Sequence, residues 1–502
     1  MRKIVVIIFL GISACKTATN KHTDESYTIE QITTPGGLLS QAGGIDFMPD
    51  GRLVACFIRG EVMTYNTKKN EWKLFAEGLM LPLGIHAVSD SEVLVMQTPN
   101  LVRIKDTDGD GIGDLYENAA DDYGISGNYH EFNYGVVQDT AGNVFFSLNC
   151  GSSGGGIRPI VRGELNIRGR DGIDGHKEMF SVVPYRGWVM MLSPDGTLHP
   201  YASGFRSPNG LGFDTEGNLF VTDNQSDWVP TGSLFHVQQN KFYGHPASLV
   251  WRDEWKNRDP FNAPVTELDS LRTRASVLFP QGIIANSPSQ PLADVTKGKF
   301  GPFAGQLFIG EINRDRLVRV MLEKVDGKFQ GACIPFIDGH GLHPGNNRLA
   351  FDKDGNLWVG QIGFGGWLPD STSGIQKITF TGKIPMDVLT MSLTTNGFDI
   401  AFTKEPDKAS ATDTANYKMR RYRYEYKKKD IKEGIDEAPQ VDVKDIAITS
   451  INFSNDRKKV SLSLSDLQPG FIYELTLGDI KSTGGELLNN KIICYTLNRL
   501  RK

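Results

Sequence analysis

Apolar and polar residues alternate along most of this chain with the period of two expected of half-buried strands. Between residues 36 and 382 the alternation is organised into a repeat: a small residue, an apolar pair, an Asp-Gly type of turn, then an apolar strand. Gly44-Ile45-Asp46-Phe47 leads to Asp50-Gly51-Arg52-Leu53-Val54, and Gly84-Ile85 leads to Ser91-Glu92-Val93-Leu94-Val95. Gly135-Val136-Val137 leads to Ala141-Gly142-Asn143-Val144-Phe145, and Gly210-Leu211-Gly212-Phe213 to Glu216-Gly217-Asn218-Leu219-Phe220. Gly282-Ile283-Ile284 leads, after an insertion, to Gly305-Gln306-Leu307-Phe308-Ile309, and Asn347-Arg348-Leu349-Ala350-Phe351 to Asp354-Gly355-Asn356-Leu357-Trp358. The spacing suits blades of about four strands carrying loop insertions, and Asp-Gly and Gly-Asn supply the positive φ of hairpin turns. Six units predict an all-β fold, a six-bladed β-propeller. Tyr27 to Thr33 alternates and is expected to supply the strand that closes the ring. Insertions at 151–186, 245–276 and 286–303 are expected on one face, where they would build a site. Helical periods are few; Arg252 to Asn257 reads as one short turn.

After Gly382 the repeat stops. Alternations at Val388 to Leu393, Phe398 to Phe402, Asp445 to Phe453, Lys459 to Leu464, Tyr473 to Leu477 and Lys491 to Leu497 predict a small immunoglobulin-like β-sandwich. The expected organisation is therefore a propeller over 27–382 followed by a sandwich over 383–502. The run Arg420 to Lys429 is basic and aromatic. It reads as a strand with alternate residues in solvent, or as a track for an anionic chain.

The N-terminus changes the picture of where the protein works. Arg2 and Lys3 precede a nine-residue apolar run from Ile4 to Ile12, too short to span a bilayer and suited to an export signal. Ile12-Ser13-Ala14-Cys15 resembles the bacterial lipobox, with Cys15 as the acylated residue. Residues 1–14 are then a signal peptide and 15–26 a tether. The expectation is an exported lipoprotein, periplasmic or on the outer membrane, touching the membrane through its anchor only. Multiple acyl chains hold a protein on a membrane where one does not. Cys56, Cys150, Cys333 and Cys494 sit in strand-like settings and read as buried thiols, and no haem-attachment motif occurs.

Composition narrows the class. Lys and Arg total 54 against 59 Asp and Glu, a net charge of −5, which argues against a nucleic-acid partner. Glycine at 55 of 502 residues lies above the usual ~7%, as many tight turns require.

Two places carry candidate chemistry. Asp106-Thr107-Asp108-Gly109-Asp110-Gly111-Ile112-Gly113-Asp114-Leu115-Tyr116-Glu117 has the spacing of a calcium loop. Asp106, Asp108, Asp110, the Ile112 carbonyl, Asp114 and a bidentate Glu117 would converge on one hard cation. A strand, Leu101 to Ile104, precedes it, and Gly113 stands where an apolar anchor is usual, so a structural Ca2+ loop on a blade hairpin is expected, the alternative being a solvated acidic turn. The second place is the mouth of the propeller, where residues just before each first strand converge. His130, Arg206, Asn209, Gln281 and Arg348 sit there, with Asp223 at a neighbouring strand end. A histidine near neutral pH serves as general base, or as a polar residue of the scaffold, and an arginine stabilises developing oxyanion charge.

His130 through Val144-Phe145-Phe146 resembles the blade of soluble quinoprotein glucose/sorbosone dehydrogenases that carries the catalytic histidine. Gly204-Phe205-Arg206-Ser207-Pro208-Asn209-Gly210-Leu211 is similar to that family's Gly-x-Arg-Asn-Pro-x-Gly-Leu, with Ser207 replacing Asn. Val221 to Gln225 and Phe242-Tyr243-Gly244-His245-Pro246 resemble its next strand end and its Asn-Tyr-Gly-Trp-Pro. The likeness spans 36–382 and is strong over 130–250. It implies a propeller binding pyrroloquinoline quinone (PQQ) through Ca2+, with His130 taking a sugar hydroxyl proton while hydride passes to the quinone, and Arg206 supporting the reacting oxygens. Arg314, Arg316 and Arg348 are the candidates to hold quinone carboxylates. The chain also resembles environmental bacterial lipoprotein propellers with the Asp-Thr-Asp-Gly-Asp-Gly loop and a final Tyr-Thr-Leu-Asn strand, here Tyr495 to Asn498.

Three functions are consistent with these residues: a quinone-dependent oxidoreductase on a sugar or sugar derivative; a non-redox metal-dependent carbohydrate enzyme, lyase or lactonase; or a surface carbohydrate-binding or scaffold lipoprotein. Trp228, Trp251 and Trp255 suit sugar stacking in each, or packing under the insertions.

Overall fold

The computed structural model describes residues 25–152, 155–158, 162–169, 179–363, 373–427 and 439–501. Cys15, the signal segment and nearly all of the tether lie outside the described residues. Among those described, no helix is long and apolar enough to cross a membrane.

Four-stranded antiparallel units succeed one another along the chain. The first holds Ala42–Phe47, Leu53–Phe57, Val62–Asn66 and Glu71–Ala76; the second Gly84–Ala87, Glu92–Met96, Leu101–Lys105 and Leu115–Ala120. The third holds Asn133–Gln138, Val144–Leu148, Trp188–Leu192 and Leu198–Ser203; the fourth Gly210–Phe213, Leu219–Asp223, Gly232–His236 and Val277–Phe279. The fifth begins Pro288–Ala293, Leu307–Glu311, Leu317–Val325 and Lys328–Phe336. The sixth takes Asn346–Phe351, Leu357–Gln361 and Gly374–Phe380 and is completed by the N-terminal strand Tyr27–Ile32, in register Tyr27 to Phe380. Each first strand touches the first strand of the next unit, and the sixth touches the first, so the sheets close into a ring.

The repeat now has physical reasons. Its opening glycine sits where first strands of adjacent sheets nearly touch. A Cβ on Gly84 would lie 2.1 Å from the Gly135 carbonyl oxygen, and one on Gly210 would lie 2.3 Å from Gln290 Cα. The Asp-x-x-Gly-Asn hairpin is a closed hydrogen-bond device. Asp139 accepts from the Ala141 and Asn143 amides and from Asn143 Nδ2, and Asp214 with Asn218 and Asp352 with Asn356 repeat the pattern. Second strands are buried on both faces between neighbouring sheets, which is why they read as unbroken apolar runs.

Two expectations need correction. Residues 286–303 are not an insertion on the mouth face. They contain the fifth unit's first strand, which Pro288 and Pro291 disguise because proline donates no ladder hydrogen bond; the register shifts between them. Residues 384–502 do form two packed four-stranded sheets around Phe398, Ile400, Leu462, Tyr473, Leu475 and Tyr495. One of those sheets, however, is continuous with the fifth unit, Cys333 pairing with Cys494 and Gly331 with Thr496, to give an eight-stranded sheet. All four described cysteines are free and buried. The basic-aromatic run begins in the strand Tyr417–Arg423 and its described part packs on the fold: Arg420 forms a two-bonded pair with Glu474, Arg423 meets Asp442, and Tyr426 donates to the Gly244 carbonyl, while Lys428 and Lys429 lie outside the described residues. Trp228 and Trp255 are buried with Phe242, Leu249 and Leu268, so they pack the 245–276 insertion and offer no stacking face.

Candidate functional site

The segment before the third unit's first strand is fixed from several sides. Asn128 Oδ1 accepts the amides of His130 and Ser152, and its Nδ2 donates to the carbonyls of Ser152 and Gly156. Glu131 accepts from the Ser126 amide and hydroxyl, while the fully buried Arg186 donates to the Gly124 and Glu131 carbonyls and to Asn133 Oδ1. Held this way, His130 places Nδ1 3.0 Å from the Cys150 carbonyl oxygen. A carbonyl only accepts, so Nδ1 carries the proton and Nε2 keeps a lone pair. Nε2 has no hydrogen-bond partner among the described residues. Burial, and then the charge of Arg206, hold the imidazole down at about 3, so it is neutral at physiological pH.

Arg206 lies on the adjoining segment. Its amide donates to Asp223 Oδ2 and the Ser207 amide to Asp223 Oδ1, while its carbonyl accepts from the Cys150 amide. The backbone of Cys150 therefore touches both predicted catalytic residues, its amide bonding the Arg206 carbonyl and its carbonyl the His130 ring. The Arg206 Nε is buried without a partner. Its charge is felt at His130, Tyr134, Asp223 and Asp227, which puts it among them.

At the strand ends on this face of the ring, several buried polar atoms have no hydrogen-bond partner among the described residues. Asn149 Oδ1, Asn209 Nδ2, Asn224 Oδ1, Gln225 Oε1, Gln281 Oε1 and Glu311 Oε2 are all sealed and lack hydrogen-bond partners. Buried polar groups are normally satisfied, so a cluster of orphans at one end of a ring marks a place for water or a polar ligand.

Asp223 and Glu311 share a device. Each ends the second strand of its unit and turns its carboxylate onto the amides leading into the first strand, Glu311 accepting from Asn286 and Ser287. Gln97 does the same for Met80. Burial raises both carboxyls, Asp223 to about 6. Glu311 was missed in the sequence. Its signal was position, following Leu307-Phe308-Ile309-Gly310 as Asp223 follows Leu219 to Thr222. The buried Asp227–His245 pair was missed as well: Nε2 stands 3.0 Å from Oδ1, and the aspartate's charge helps lift the imidazole to about 10 despite burial.

The three candidate quinone cations are not free. Arg348 Nη1 donates to the Asn347 carbonyl and side chain and reaches Asn209 Oδ1, and Nη2 donates to the Leu83 carbonyl, so it ties three units together at the axis. The axial void beside it is only about 20 Å3. Arg314 and Arg316 hold the carbonyls of Gly282 and Ile283, and Arg316 pairs with Asp338.

The acidic loop is brought together in part. Asp106, Asp108 and Asp110 can place one oxygen each within 4.8 Å of one another. Asp114 instead accepts from the Thr107 amide and hydroxyl, and Glu117 lies on the strand Leu115–Ala120, 2.8 Å from Lys105 Nζ. An extended strand, where a helix would have curled back, carries Glu117 away from the other carboxylates. Gly113 docks the loop by donating to the Phe75 carbonyl of the first unit.

A family profile for a domain of unknown function, DUF7133, matches residues 65–269. No curated protein matches the chain. Similar solved structures include the PQQ-bound form of aldose sugar dehydrogenase from Streptomyces coelicolor, 14% identical, TM-score 0.46, over 70% of this chain and 98% of that one. The PQQ domain of pyranose dehydrogenase from Coprinopsis cinerea is 12% identical, TM-score 0.48, over 71% and 96%. A calcium structure of Trichoderma reesei carbohydrate-active enzyme family AA12 is 12% identical, TM-score 0.46, over 72% and 96%.

Proposed function

We propose that this chain is an exported, lipid-anchored oxidoreductase that oxidises a sugar or sugar derivative at the propeller mouth, with PQQ as cofactor and Ca2+ as bound metal. The observation that carries the reading is that His130 and Arg206 are both held by the backbone of Cys150, with the Arg206 charge felt at the imidazole and buried polar atoms without partners at the same end of the ring. Those atoms offer hydrogen-bond donors and acceptors to a polar cofactor. Arg206, Asn209 and Gln281 would hold it, with Arg206 facing its negative charge, since Arg314, Arg316 and Arg348 are engaged elsewhere. A quinone bound there supplies a two-electron hydride acceptor.

The protein's own share is positional and electrostatic. The Cys150 carbonyl fixes the His130 tautomer and leaves the Nε2 lone pair free. Burial and Arg206 hold the imidazole pKa at about 3, below the near-neutral range that suits a general base, so anionic charge bound beside Arg206 would have to raise it before a sugar hydroxyl proton is taken there. Burial first, and the Arg206 charge second, keep that imidazole neutral, and Arg206 would stabilise oxygen charge as it develops. For the metal, Asp106, Asp108 and Asp110 offer three carboxylates, with waters completing the oxygen shell that Ca2+ prefers. The test is a dye-linked oxidation assay across aldoses and sugar acids, with PQQ and Ca2+ added together and singly. Sugar-dependent dye reduction requiring PQQ is expected. Quinone-independent release of unsaturated or ring-opened product would instead favour a lyase or lactonase.

A further inference from the structure

Where blade four's outer strand, Val277–Phe279, meets the extension of the fifth unit's sheet, a groove of about 640 Å3 opens on the side of the ring. Its base is stitched by the Leu278 amide donating to Thr496 Oγ1 and by Asn498 Nδ2 donating to the Ala275 carbonyl. The chain as a whole is acidic, yet this groove is lined by Lys241, Arg272, Arg274, Lys328, Arg423 and Arg499 against the single carboxylate of Asp269. Arg423 is matched by Asp442. Asp269 is shared by two guanidinium groups, Arg272 Nε at 2.6 Å and Arg274 Nη2 at 2.9 Å, which leaves one positive charge over.

Arg272 is also preorganised. Its side chain is only 11% exposed and its guanidinium lies 4.3 Å from the centre of the Tyr426 ring. Stacking and the Asp269 bond fix the fork and leave its Nη donors uncommitted. Lys241, Lys328 and Arg499 make no ion pair among the described residues. Between the cations stand Gln238, Thr273 and Ser276, amide and hydroxyl groups that match sugar hydroxyls.

We infer that this groove binds a short acidic glycan, a carbohydrate chain carrying carboxylate or sulfate groups, at a site separate from the mouth. The volume lies in the range of small-ligand sites, about 300–1,000 Å3, and is too small for a nucleic-acid duplex. Carboxylate and sulfate present the same demand, a fixed fork plus surrounding positive charge.

The experiment uses the whole exported chain and does not depend on catalysis. Calorimetric titration compares a galacturonate hexasaccharide, dextran sulfate of matched length, neutral dextran and single-stranded DNA, each at low and high salt. Binding of one or both acidic glycans, weakened by salt, with no binding of neutral dextran, is expected; which of the two binds tells carboxylate from sulfate. Arg272→Gln should weaken that affinity about tenfold. Lys241→Gln and Lys328→Gln, both exposed and tolerant of change, should each weaken it about two- to fivefold. Failure of both glycans to bind, equal binding of DNA, or affinity unchanged in all three variants would overturn the inference. Loss of sugar oxidation alone would bear only on the mouth.

Discussion

At the scale of single residues, the mouth is held in place by burial as much as by hydrogen bonding. His130 and Arg206 were visible in the sequence because each precedes a glycine-led first strand. Their shared support, the backbone N–H and C=O of Cys150, was not, because a backbone contact leaves no residue-type signature. Arg348 looked like a cofactor ligand from its position and turns out to be an axial tie, a distinction only its partners reveal. Asp223 allows a test of the electrostatics. Burial lifts its carboxyl from an ordinary 3.8 to about 6. A raised carboxyl pKa means that the folded state holds the proton more tightly, so the group's contribution to stability is complete below pH 3.8 and is lost as pH rises through about 6. Asparagine cannot ionise. Replacing Asp223 with Asn should cost a constant amount from weakened amide contacts. It should also remove a fall of roughly 1–3 kcal/mol in unfolding free energy between pH 4 and pH 7. His130 stays neutral in the folded state across this window, and its unfolded-state ionisation is common to both proteins and cancels. Denaturant curves at the two pH values check this, and parallel pH dependence in wild type and variant would contradict it.

At the scale of elements, the hairpins were the most readable part of the chain, because Asp, Gly and Asn have distinct backbone jobs at fixed offsets. The acidic loop was legible in its first half and not in its second. Residues 106–111 fold through local carboxylate-to-amide bonds, such as Asp106 Oδ1 with the Gly109 amide and Oδ2 with the Gly111 amide. The twelfth position depends on the element after the loop, here a strand. With only three carboxylates gathered, Asp108 contributes a large part of any ion binding. Asp108→Ala should abolish the rise in melting temperature that added Ca2+ gives to the wild type, while leaving the chelated protein nearly unchanged. Identical wild-type melting with Ca2+ and with chelator would remove the metal from the account.

At the scale of the whole molecule, ring closure by Tyr27–Ile32 was legible from alternation. The fusion of the last region to the fifth unit was not, since strand pairing between residues 331 and 496 is a long-range choice that no local pattern encodes. That fusion means residues 384–502 are part of the fold's support. A chain ending at 382 would uncover the edge strand Lys328–Phe336, whose Ala332, Cys333 and Ile334 are fully buried. Exposed apolar edges invite association, so the truncated protein should aggregate in size-exclusion chromatography, and a soluble monomer with an intact melting transition would contradict the continuity. Anchoring is tested at the same scale: Cys15→Ser should move the protein from the membrane fraction to the soluble exported fraction, and retention on membranes would exclude acylation at that residue.

The central claim is that the mouth couples His130 to a bound quinone. Its most direct test is anaerobic single turnover: wild type and His130→Ala are loaded with PQQ and Ca2+, mixed with sugars, and followed by the absorbance of the bound cofactor. Both proteins should bind the quinone, and sugar should reduce it in the wild type. In the variant, reduction should slow by about 10²–10⁴-fold, the usual cost of losing a general base. Failure of the wild type to bind quinone, or equal reduction rates in the two proteins, would contradict it.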